Sequence, residues 1–414
     1  MRTLGIIAEY NPFHNGHQIH LNMSQKNAQS TASVCIMSGN FTQRGELALF
    51  DKWTRAKMAV YGGIDLVIEL PVVFAVRSAE AFASAAIRLL NSLEIIDTVA
   101  FGAETPDYLL LNKIATSLMD ENTIKSFQRH MKSGQSYPTA LATAINNILD
   151  ISPTLLSEPN NILAIEYLKA INQYDCQLSP LIIPRISSHH NNPMIIGNIS
   201  SATAIRKILY HHPQNISAIK DCVPNSTYEQ IEEADKLLFR RSLNNLSVFL
   251  LAKLRNSTLA NLQSIPGISE GLEHKLFNII NRSTSYDDLI QNLKSKRYPT
   301  SRLQRILIHY LLNTNKEVIK TFDEAGPLYA RVLAFNQKGR LLIKNLNQAS
   351  SLPIINKVSN YITSKDKNKP NLSMLQQMLL FDIYATDLFF LSINDSKYHI
   401  GGLDFLHSPV YIDK

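Results

Sequence analysis

The most informative segment of the chain reads Gly5-Ile6-Ile7-Ala8-Glu9-Tyr10-Asn11-Pro12-Phe13-His14-Asn15-Gly16-His17. Its apolar beginning predicts a β-strand, and a polar turn with two histidines around a glycine follows. This pattern places imidazole rings and bare backbone N–H groups at the start of a helix, where a phosphate is stabilised. A His-x-Gly-His tetrapeptide recurs by chance, but here it stands between a first strand and a first helix. The stretch therefore predicts the start of a mononucleotide-binding unit.

Length and composition indicate a globular protein of two or three domains. The chain has 414 residues, of which 45% are hydrophobic and 18% charged. Lys and Arg number 41 against 34 Asp and Glu, and the net charge of +7 permits a polyanionic partner without requiring one. The widely spaced Cys35, Cys176 and Cys222 predict neither a disulfide framework nor a zinc ribbon. Because no leader-like segment and no membrane-length apolar run is present, we expect a cytoplasmic protein that does not enter a membrane.

Alternating strand and helix patterns predict an α/β fold built on a parallel, Rossmann-like sheet. Helices are predicted at about 15–28, 52–61 and 78–90, and residues 107–150 have the pattern of peripheral helices. Another helix is expected to start near Pro159, with Asn160 or Asn161 as its N-cap. Short apolar runs predict strands at 3–9, 34–38, 66–70, 98–102 and 181–185, the last being the final strand of the sheet.

Beyond about residue 215 the pattern becomes mainly helical. We therefore predict two domains, a nucleotidyltransferase-like ATP-binding catalytic domain over 1–215 and a helix-rich tRNA-binding domain over 216–414. Long helical periodicity covers 234–254 and 302–313. A small β segment is predicted at 329–335, turning at Lys338-Gly339 into a second strand at 340–343.

His14 and His17 are the candidate catalytic residues. Imidazoles directed at a phosphate stabilise the negative charge that develops on its oxygens during attack at phosphorus. Gly16 lets the backbone approach the phosphates. The alternative is a loop that merely caps a helix. His20 continues the histidine spacing, but no Cys or Asp lies nearby, so we predict no protein-bound metal site.

A second candidate anion site is the segment Ile199-Ser200-Ser201-Ala202-Thr203-Ala204-Ile205-Arg206. Hydroxyl and N–H groups at a helix start, with an arginine one turn later, are suited to binding phosphate. An ordinary Ser or Thr N-cap with a solvated arginine is the alternative. Together with the earlier histidine pair, this segment predicts the second half of an adenylyltransferase site.

The strand, the His-x-Gly-His turn and the late Ile-Ser-Ser segment resemble the nucleotidylyltransferase superfamily of the HxGH type. Longer motifs resemble one family within it, the tRNA(Met) cytidine acetate ligases, and the resemblance covers the whole chain. The motifs that carry it lie at 8–17, 37–46, 65–71, 101–104, 159–163, 296–302 and 331–335.

This resemblance implies a two-step ligation. ATP and acetate give acetyladenylate and pyrophosphate, and the acetyl group then passes to N4 of the wobble cytidine of elongator tRNA(Met), giving N4-acetylcytidine. Mg²⁺ is expected to accompany ATP. The ATP contacts that the resemblance implies, extended by the second anion site, are Ile7, Ala8, Glu9, Tyr10, Asn11, Pro12, Phe13, His14, Asn15, Gly16, His17, Gln18, Ile19, His20, Gly102, Asn160 or Asn161, Arg185, Ser201 and Arg206.

The chain departs from the family pattern at two places beside this site. The family has glycine-rich residues where this chain has Ser187-Ser188-His189-His190-Asn191-Asn192, and it tends to carry glycine where Ala164 stands.

The loop from Gly39 to Glu46 is expected to close a small acyl pocket. Arg44 is a candidate for holding acetate or phosphate, and pairing with Glu46 at the surface is the alternative. Lys52, Arg55 and Lys57 follow on a helix, and only some of these cations can face the site. The residues identify no general base.

Five basic residues without an intervening acid predict a tRNA-binding surface, with Tyr298 interleaved as a candidate for stacking on a base. A solvated helix face is the alternative. The five are Lys294, Lys296, Arg297, Arg302 and Arg305.

Two other functions stay open on the residues alone. One is a small-molecule adenylyltransferase, although such an enzyme does not require a basic second half of this length. The other is a catalytically silent nucleotide- or RNA-binding protein, although binding alone does not require both His14 and His17. Nothing in the sequence indicates a protein partner.

Overall fold

The fold is taken from a computed structural model, which describes residues 1–135, 137–146, 149, 151–152, 154–185, 200–367 and 369–413. It confirms the parallel sheet predicted for the first half of the chain. The strands lie in the order β5-β4-β1-β2-β3, and every neighbouring pair among them is parallel. These strands are β1 (Thr3–Ala8), β2 (Ala32–Ser38), β3 (Leu66–Leu70), β4 (Thr98–Ala103) and β5 (Ser179–Pro184).

Helices cover both faces of this sheet, which explains why the strands are apolar along their whole length. Val34 and Ile36 of β2 pack into one apolar layer, whereas Cys35 and Met37 pack into the other. The helices of this part are α1 (Asn15–Ala28), α2 (Lys52–Tyr61), α3 (Val72–Ala75), α4 (Ala79–Ser92), α5 (Tyr108–Ser117), α6 (Glu121–Lys132), α7 (Tyr137–Ile145), α8 (Pro159–Gln173) and α9 (Ala202–His211). In the described part of the chain, no helix has both the length and the apolar character needed to cross a membrane.

The second half of the chain is mainly helical, as predicted, but it also contributes strands to the same sheet. The elements are α10 (Asn225–Glu233), α11 (Ser247–Arg255), α12 (Leu259–Gln263), α13 (Leu272–Ile280), α14 (Tyr286–Leu293), α15 (Thr300–Leu311), α16 (Lys316–Ala325), β6 (Ala330–Phe335), α17 (Gln337–Ala349), β7 (Ile354–Ile355), α18 (Met374–Leu391), α19 (Leu403–Leu406) and β8 (Val410–Tyr411). Strand β6 pairs antiparallel with β3, and β7 and β8 pair with β6. The sheet therefore continues into the second half, and the prediction that it ends with the strand at 181–185 is wrong.

Two further element predictions are corrected. The second strand expected at 340–343 lies inside α17, because Asn336 caps that helix by accepting a hydrogen bond from the Gly339 N–H at 2.9 Å. The long helix expected over 234–254 is divided into 3₁₀ turns at Lys236–Arg240 and Leu243–Leu246, followed by α11. Asp235 and Ser242 each cap one of these turns with their side chains, which interrupts a continuous helix.

A buried group of charged side chains ties the two halves together. Lys52 Nζ lies 2.9 Å from a Glu69 carboxylate oxygen and 2.7 Å from Asp404 Oδ1. Arg331 on β6 contacts the same two carboxylates. All four residues are at most 3% exposed, so Lys52 is held in the interior and does not face a substrate.

Candidate nucleotide site

The predicted site lies where the chain order of the sheet reverses. From β1 the chain builds β2 and β3 on one side and then returns to add β4 and β5 on the other. The loops that follow β1 and β4 therefore diverge at the carboxyl edge, which is where open α/β sheets bind ligands. Ile7 and Ala8 end β1 at this edge, and helix α1 begins seven residues beyond Ala8 at Asn15.

The two central histidines are stacked on each other at the start of α1. Their ring centroids are 3.7 Å apart, with an angle of 18° between the ring planes. His17 Nδ1 accepts a hydrogen bond from the His14 backbone N–H at 3.3 Å. In a neutral His17 ring the proton therefore resides on Nε2, which becomes a hydrogen-bond donor. Gly16 is required beside them, because a Cβ at this position would lie 2.9 Å from His14 Cε1.

Burial keeps these imidazoles neutral. Burial first, and then the positive charge of Arg185, lower the pKa of His14 to about 3 and the pKa of His20 to about 4; Arg206 also contributes at His14. The pKa of His17 is lowered as well, first by burial and then by its two histidine neighbours. Neutral rings act at phosphate as directed hydrogen-bond donors, so the charge of a phosphate must be balanced by other groups.

Two ring nitrogens at this site have no hydrogen-bond partner in the described part of the chain. They are the buried His14 Nδ1 and His20 Nε2. Buried polar atoms are rarely left unsatisfied, so both nitrogens are available to bind a ligand or a water molecule. An anionic oxygen ligand suits neutral imidazole N–H donors surrounded by arginines, and the residues present therefore fit a nucleoside triphosphate.

The residues between β1 and α1 hold neighbouring loops in place. The Glu9 carboxylate accepts a hydrogen bond from the Gln43 N–H at 2.6 Å, and its pKa is raised by burial. Asn11 Oδ1 accepts from the Leu49 N–H at 2.7 Å. Tyr10, at φ 43°, places its ring edge-on to those of Phe13 and His17.

The remaining residues predicted from this segment surround the helix start. Pro12 follows Asn11 through a cis peptide bond. Asn15 Nδ2 donates to the Asp221 carbonyl at 2.8 Å, and Gln18 donates to the side chain of Asn22. Ile19 is half-buried one turn into α1.

The loop after β4 brings a second set of predicted residues to the same edge. A Cβ on Gly102 would lie 3.2 Å from Arg185 Cγ and 3.8 Å from His20 Cδ2, so these three residues meet at one point. The Arg185 stem therefore lies directly against the Gly102 backbone, with the His20 ring beside it. The lack of a side chain at Gly102 is what lets Arg185 lie this close to His20.

The two asparagines after Pro159 have different roles. Asn161 is fully buried, and its amide is used inside the protein: Oδ1 accepts from the Thr105 N–H at 2.9 Å, while Nδ2 donates to Thr105 Oγ1 and the Leu155 carbonyl. Asn160 is half-buried and donates to the Glu104 carboxylate. The geometry therefore favours Asn160 over Asn161 as a nucleotide contact.

Neither asparagine is the N-cap that the sequence predicted. Glu158 occupies that position, and Pro159 takes the first helical position of α8. Proline is favoured there because it has no N–H to leave unsatisfied. The Glu104 carboxylate instead accepts the Asn161 N–H at 2.9 Å, which sequence reasoning missed because the partner is 57 residues away.

Helix α9 contributes the late anion-binding segment. Arg206 Nη1 donates to the Asn11 carbonyl at 2.9 Å, which brings this arginine to the His14 turn. Ser201 Oγ caps the helix by accepting from the Ala204 N–H at 3.2 Å. The neighbouring Ser200, which was not among the predicted contacts, has a buried hydroxyl with no partner among the described residues. A cavity of about 280 Å³ adjoins Arg206.

The loop from Gly39 to Glu46 contains one exposed cation next to the site. Arg44 makes no hydrogen bond or ion pair in the described ranges, and the proposed surface pair with Glu46 is not formed. Its charge contributes to lowering the pKa of Arg206, although burial of Arg206 contributes more. Arg55, by contrast, is fully buried and donates to the backbone carbonyls of Glu9, Ser38, Gly39 and Phe50, so it has a structural role.

Comparison with known proteins follows this geometry. A family model described as HIGH Nucleotidyl Transferase matches residues 1–401. A tRNA(Met) cytidine acetate ligase of Thermoanaerobacter sp. (strain X514) is 40% identical over 412 residues, covering 98% of this chain and 99% of its own length. The enzyme of the same name from Halothermothrix orenii is 35% identical over 426 residues, covering 98% of both chains. This chain belongs to the tRNA(Met) cytidine acetate ligase family.

Solved structures of this family agree with the fold. Thermotoga maritima TmcAL bound with alpha-thio ATP superposes with a TM-score of 0.90 at 29% identity, and each chain is covered completely. The apo form of the same protein superposes with a TM-score of 0.91 at the same identity and coverage. The nucleotidyltransferase-like α/β fold predicted from the sequence is thereby confirmed.

The two departures from the pattern of tRNA(Met) cytidine acetate ligases have different outcomes. Ala164 is fully buried in the core, on helix α8, which packs against α4 and β4. The segment Ser187–Asn192 lies outside the described residues, as does Ile199.

No group of three or more His, Cys, Asp or Glu side chains capable of holding a metal ion is present in the described ranges.

The basic run predicted to bind tRNA is only partly free. Lys294, Lys296 and Arg297 are exposed. Arg302 donates to Ser269 Oγ at 2.7 Å and to the Gly267 carbonyl at 3.2 Å. Tyr298 is 7% exposed and donates its hydroxyl to the Glu270 carbonyl at 2.8 Å. The prediction that Tyr298 stacks on a base is therefore wrong, because its ring is enclosed by the protein.

Proposed function

We propose that this chain is an ATP-dependent ligase that acetylates N4 of the wobble cytidine in elongator tRNA(Met). The observation that carries the proposal is the pair of stacked, neutral histidines at the start of α1, with an unsatisfied His14 Nδ1 and Arg206 within hydrogen-bond reach of the same turn. Family membership supports the reaction, since the relatives that share 35–40% of their residues with this chain are named for it.

In the first step an acetate oxygen attacks the α-phosphorus of ATP. The new P–O bond forms acetyladenylate, the bond to the β-phosphate breaks, and pyrophosphate leaves. We expect His17 Nε2–H and the N–H groups of α1 to stabilise the charge that develops on the α-phosphate oxygens. Arg206 and Arg185 are the cations placed to balance the triphosphate. Mg²⁺ is expected to be held mainly by the triphosphate itself.

We assign acetate binding to the loop from Gly39 to Glu46, which is held to Glu9 by the Gln43 N–H. Two anions, a carboxylate and a triphosphate, repel each other unless a cation lies between them. Arg44 is exposed on this loop and has no partner in the described part of the chain, so it is the candidate for that role. The loop also covers the site and thereby limits hydrolysis of the mixed anhydride.

In the second step the exocyclic amine of cytidine attacks the acetyl carbonyl carbon. The amide bond forms, the bond to AMP breaks, and the amine loses one proton as AMP leaves. Since that proton becomes acidic once attack begins, no dedicated general base is required. We assign tRNA binding to the basic run around α15, and we expect the reaction to take place in the cytoplasm, where tRNA and ATP are available.

Transfer of radiolabelled acetate into elongator tRNA, with and without ATP, tests the whole proposal. ATP-dependent label in N4-acetylcytidine is the expected result. Acetate-dependent ATP–pyrophosphate exchange measures the first step alone. Exchange with other acids or with small phosphate esters, but no label in tRNA, would instead indicate a small-molecule adenylyltransferase.

The variant His17→Ala separates catalysis from binding. We expect it to reduce acetate-dependent exchange by about 10²–10³-fold while leaving tRNA affinity near that of the wild type. His274→Ala is the matched control, because His274 is exposed and its only described ion-pair contact is a long 3.9 Å approach to Glu273. Undiminished exchange in His17→Ala would remove His17 from the catalytic step. A wild-type protein that binds ATP and tRNA but catalyses neither step would be a silent binding protein.

A further inference from the structure

A strongly cationic cleft lies beside the loop from Gly39 to Glu46. It has a volume of about 500 Å³ and is formed by the segment before α4, the turn between α12 and α13, and helices α15 and α16. One carboxylate, that of Asp323, also lines it. We call it the cationic cleft and define it by its five basic residues, Arg77, Arg302, Arg305, Lys316 and Lys320.

The charges in the cationic cleft are only partly balanced. Asp323 is occupied by Arg77, whose two terminal nitrogens lie 3.1 and 2.8 Å from its carboxylate oxygens. Arg302 is 3.5 Å from Glu270. Arg305 and Lys316 form no ion pair within the described ranges. The cleft therefore holds more positive charge than its own carboxylates neutralise.

Burial is the largest cause that lowers the pKa of Arg305, and the positive charges of Arg302 and Arg77 contribute to the same shift; together they lower it to about 10. Guanidinium groups that destabilise one another in this way are relieved by a bound anion. The five cations come from three segments of the chain, the residue before Ser78 and helices α15 and α16, and together they line one cleft that an anionic ligand can enter.

The cleft is connected directly to the nucleotide site through Gln43. The Gln43 side-chain amide donates to the Arg77 carbonyl at 2.7 Å, and the Gln43 backbone carbonyl accepts from Arg305 Nη1 at 3.4 Å. Its backbone N–H donates to Glu9 at the end of β1. A ligand bound to Arg77 or Arg305 in the cationic cleft therefore contacts residues that hydrogen-bond directly to the loop from Gly39 to Glu46.

We propose that the cationic cleft binds the sugar-phosphate backbone of the RNA substrate and holds it against the loop that contains Gln43. This inference rests on the proposed function. It extends the basic run of α15 with Arg77, which is distant in sequence, and with Lys316 and Lys320 of the next helix, α16. Contacts of this kind position an RNA without reading its sequence, so elongator and initiator tRNA bind the cleft alike.

Lys316→Ala/Lys320→Ala is the sharpest test. Both lysines are exposed, and their described side-chain contacts are limited to a 3.9 Å approach of Lys320 to Glu324. Arg302 is unsuitable, because its substitution also removes hydrogen bonds to Gly267 and Ser269. The matched control is Lys26→Ala/Lys338→Ala, which removes the same charge at the opposite edge of the sheet, where Lys338 contacts the Thr31 carbonyl ahead of β2.

The measurement is the affinity for an unmodified elongator tRNA transcript across a range of salt concentrations. Losing two phosphate contacts lowers the slope of log affinity against log salt by about 2 and weakens binding at least about tenfold at low salt. The same loss is expected with an initiator transcript. Acetate-dependent ATP–pyrophosphate exchange stays at the wild-type rate, and the control variant keeps the wild-type slope.

The possible failures are distinguishable. If the cleft variant and the control give the same slope, the RNA backbone does not occupy the cleft. If pyrophosphate exchange falls while the slope is unchanged, the cleft serves a small phosphate ligand, and the inference is also overturned. If the wild type catalyses no exchange with acetate, the proposed function fails, yet the slopes still report whether RNA binds in the cleft.

Discussion

Replacing Gly16 with alanine tests whether the position of the His14 ring controls the first chemical step. The added Cβ would lie 2.9 Å from His14 Cε1 and 3.1 Å from Nδ1. Carbon atoms in ordinary contact are about 3.5 Å or more apart, so the ring must move by roughly 0.5 Å. The His17 ring stacks against His14 at 3.7 Å, and movement of one ring therefore disturbs both.

Gly16→Ala is expected to slow catalysis without lowering the stability of the fold. A displacement of about 1 Å at a reacting centre costs up to about 10²-fold in rate, so a shift of half that size predicts about a tenfold loss. Alanine inside a helix is more favourable than glycine by about 0.5 kcal/mol, and Gly16 lies in the first turn of α1. Gly16→Ala therefore unfolds at the same or a higher denaturant concentration while it catalyses more slowly.

Acetate-dependent ATP–pyrophosphate exchange and urea unfolding measure the two effects on one preparation. Gly401→Ala is the control, because its Cβ would meet nothing closer than 3.7 Å, and both quantities should stay at the wild-type value. Full exchange activity in Gly16→Ala would refute the reasoning, since it would show that the His14 ring can move without consequence. A loss of activity that is matched by a loss of stability would also refute it, because the defect would then be one of folding.

Three further outcomes are expected. Burial holds the folded-state pKa of His14 at about 3, below the unfolded value of about 6.5. The contribution of this group to the free energy of unfolding is therefore fully present above pH 6.5 and is lost as the pH falls towards 3. Urea unfolding at pH 7.5 and 5 measures this loss, and His14→Gln should reduce the difference between the two pH values. Asn161→Ala should lower the free energy of unfolding by about 3 kcal/mol, because it removes buried hydrogen bonds. Asn160→Ala should stay within about 1 kcal/mol of the wild type but raise the KM for ATP. Urea unfolding and pyrophosphate-exchange kinetics measure the two effects. Lys52→Met should destabilise the protein by about 3–5 kcal/mol, because it removes a cation that is paired with two buried carboxylates. Lys57 is half-buried on the same helix, and Lys57→Met is the control that should change the free energy of unfolding by less than about 1 kcal/mol.

The first half of the fold and the centre of the site were predictable because their signals are local. Strands such as 66–70 are short apolar runs that end at proline, and the start of α1 is marked by its own turn residues. A parallel sheet places the carboxyl ends of its strands at one edge. Residues that follow β1 and β4 are therefore expected to meet, and Gly102, His20 and Arg185 do lie together.

The rest depends on contacts between distant parts of the chain, for which the local pattern has no signal. The run at 329–335 is recognisably a strand, but nothing in it indicates pairing with β3, some 265 residues earlier. Asn160 and Asn161 both resemble an N-cap, and they differ only because the partners of Asn161 lie on the loop after β4 and near Leu155. Tyr298 among basic residues has the composition of a stacking site, and only the packing around it shows that its ring is enclosed.

These distant contacts also explain how the second half of the chain can affect chemistry at the first. The loop after β3 is held from the second half, since the Asp382 carboxylate accepts the Val72 N–H at 2.7 Å and His309 Nε2 lies 2.8 Å from the Val76 carbonyl. Arg77 follows Val76 directly and accepts the hydrogen bond from Gln43. Because the histidines at the nucleotide site are neutral, charge balance there depends on arginines, and Arg44 lies on the same loop as Gln43. An RNA bound at α15 and α16 would therefore contact residues that hydrogen-bond to this loop, among them Arg305, which donates to the Gln43 carbonyl.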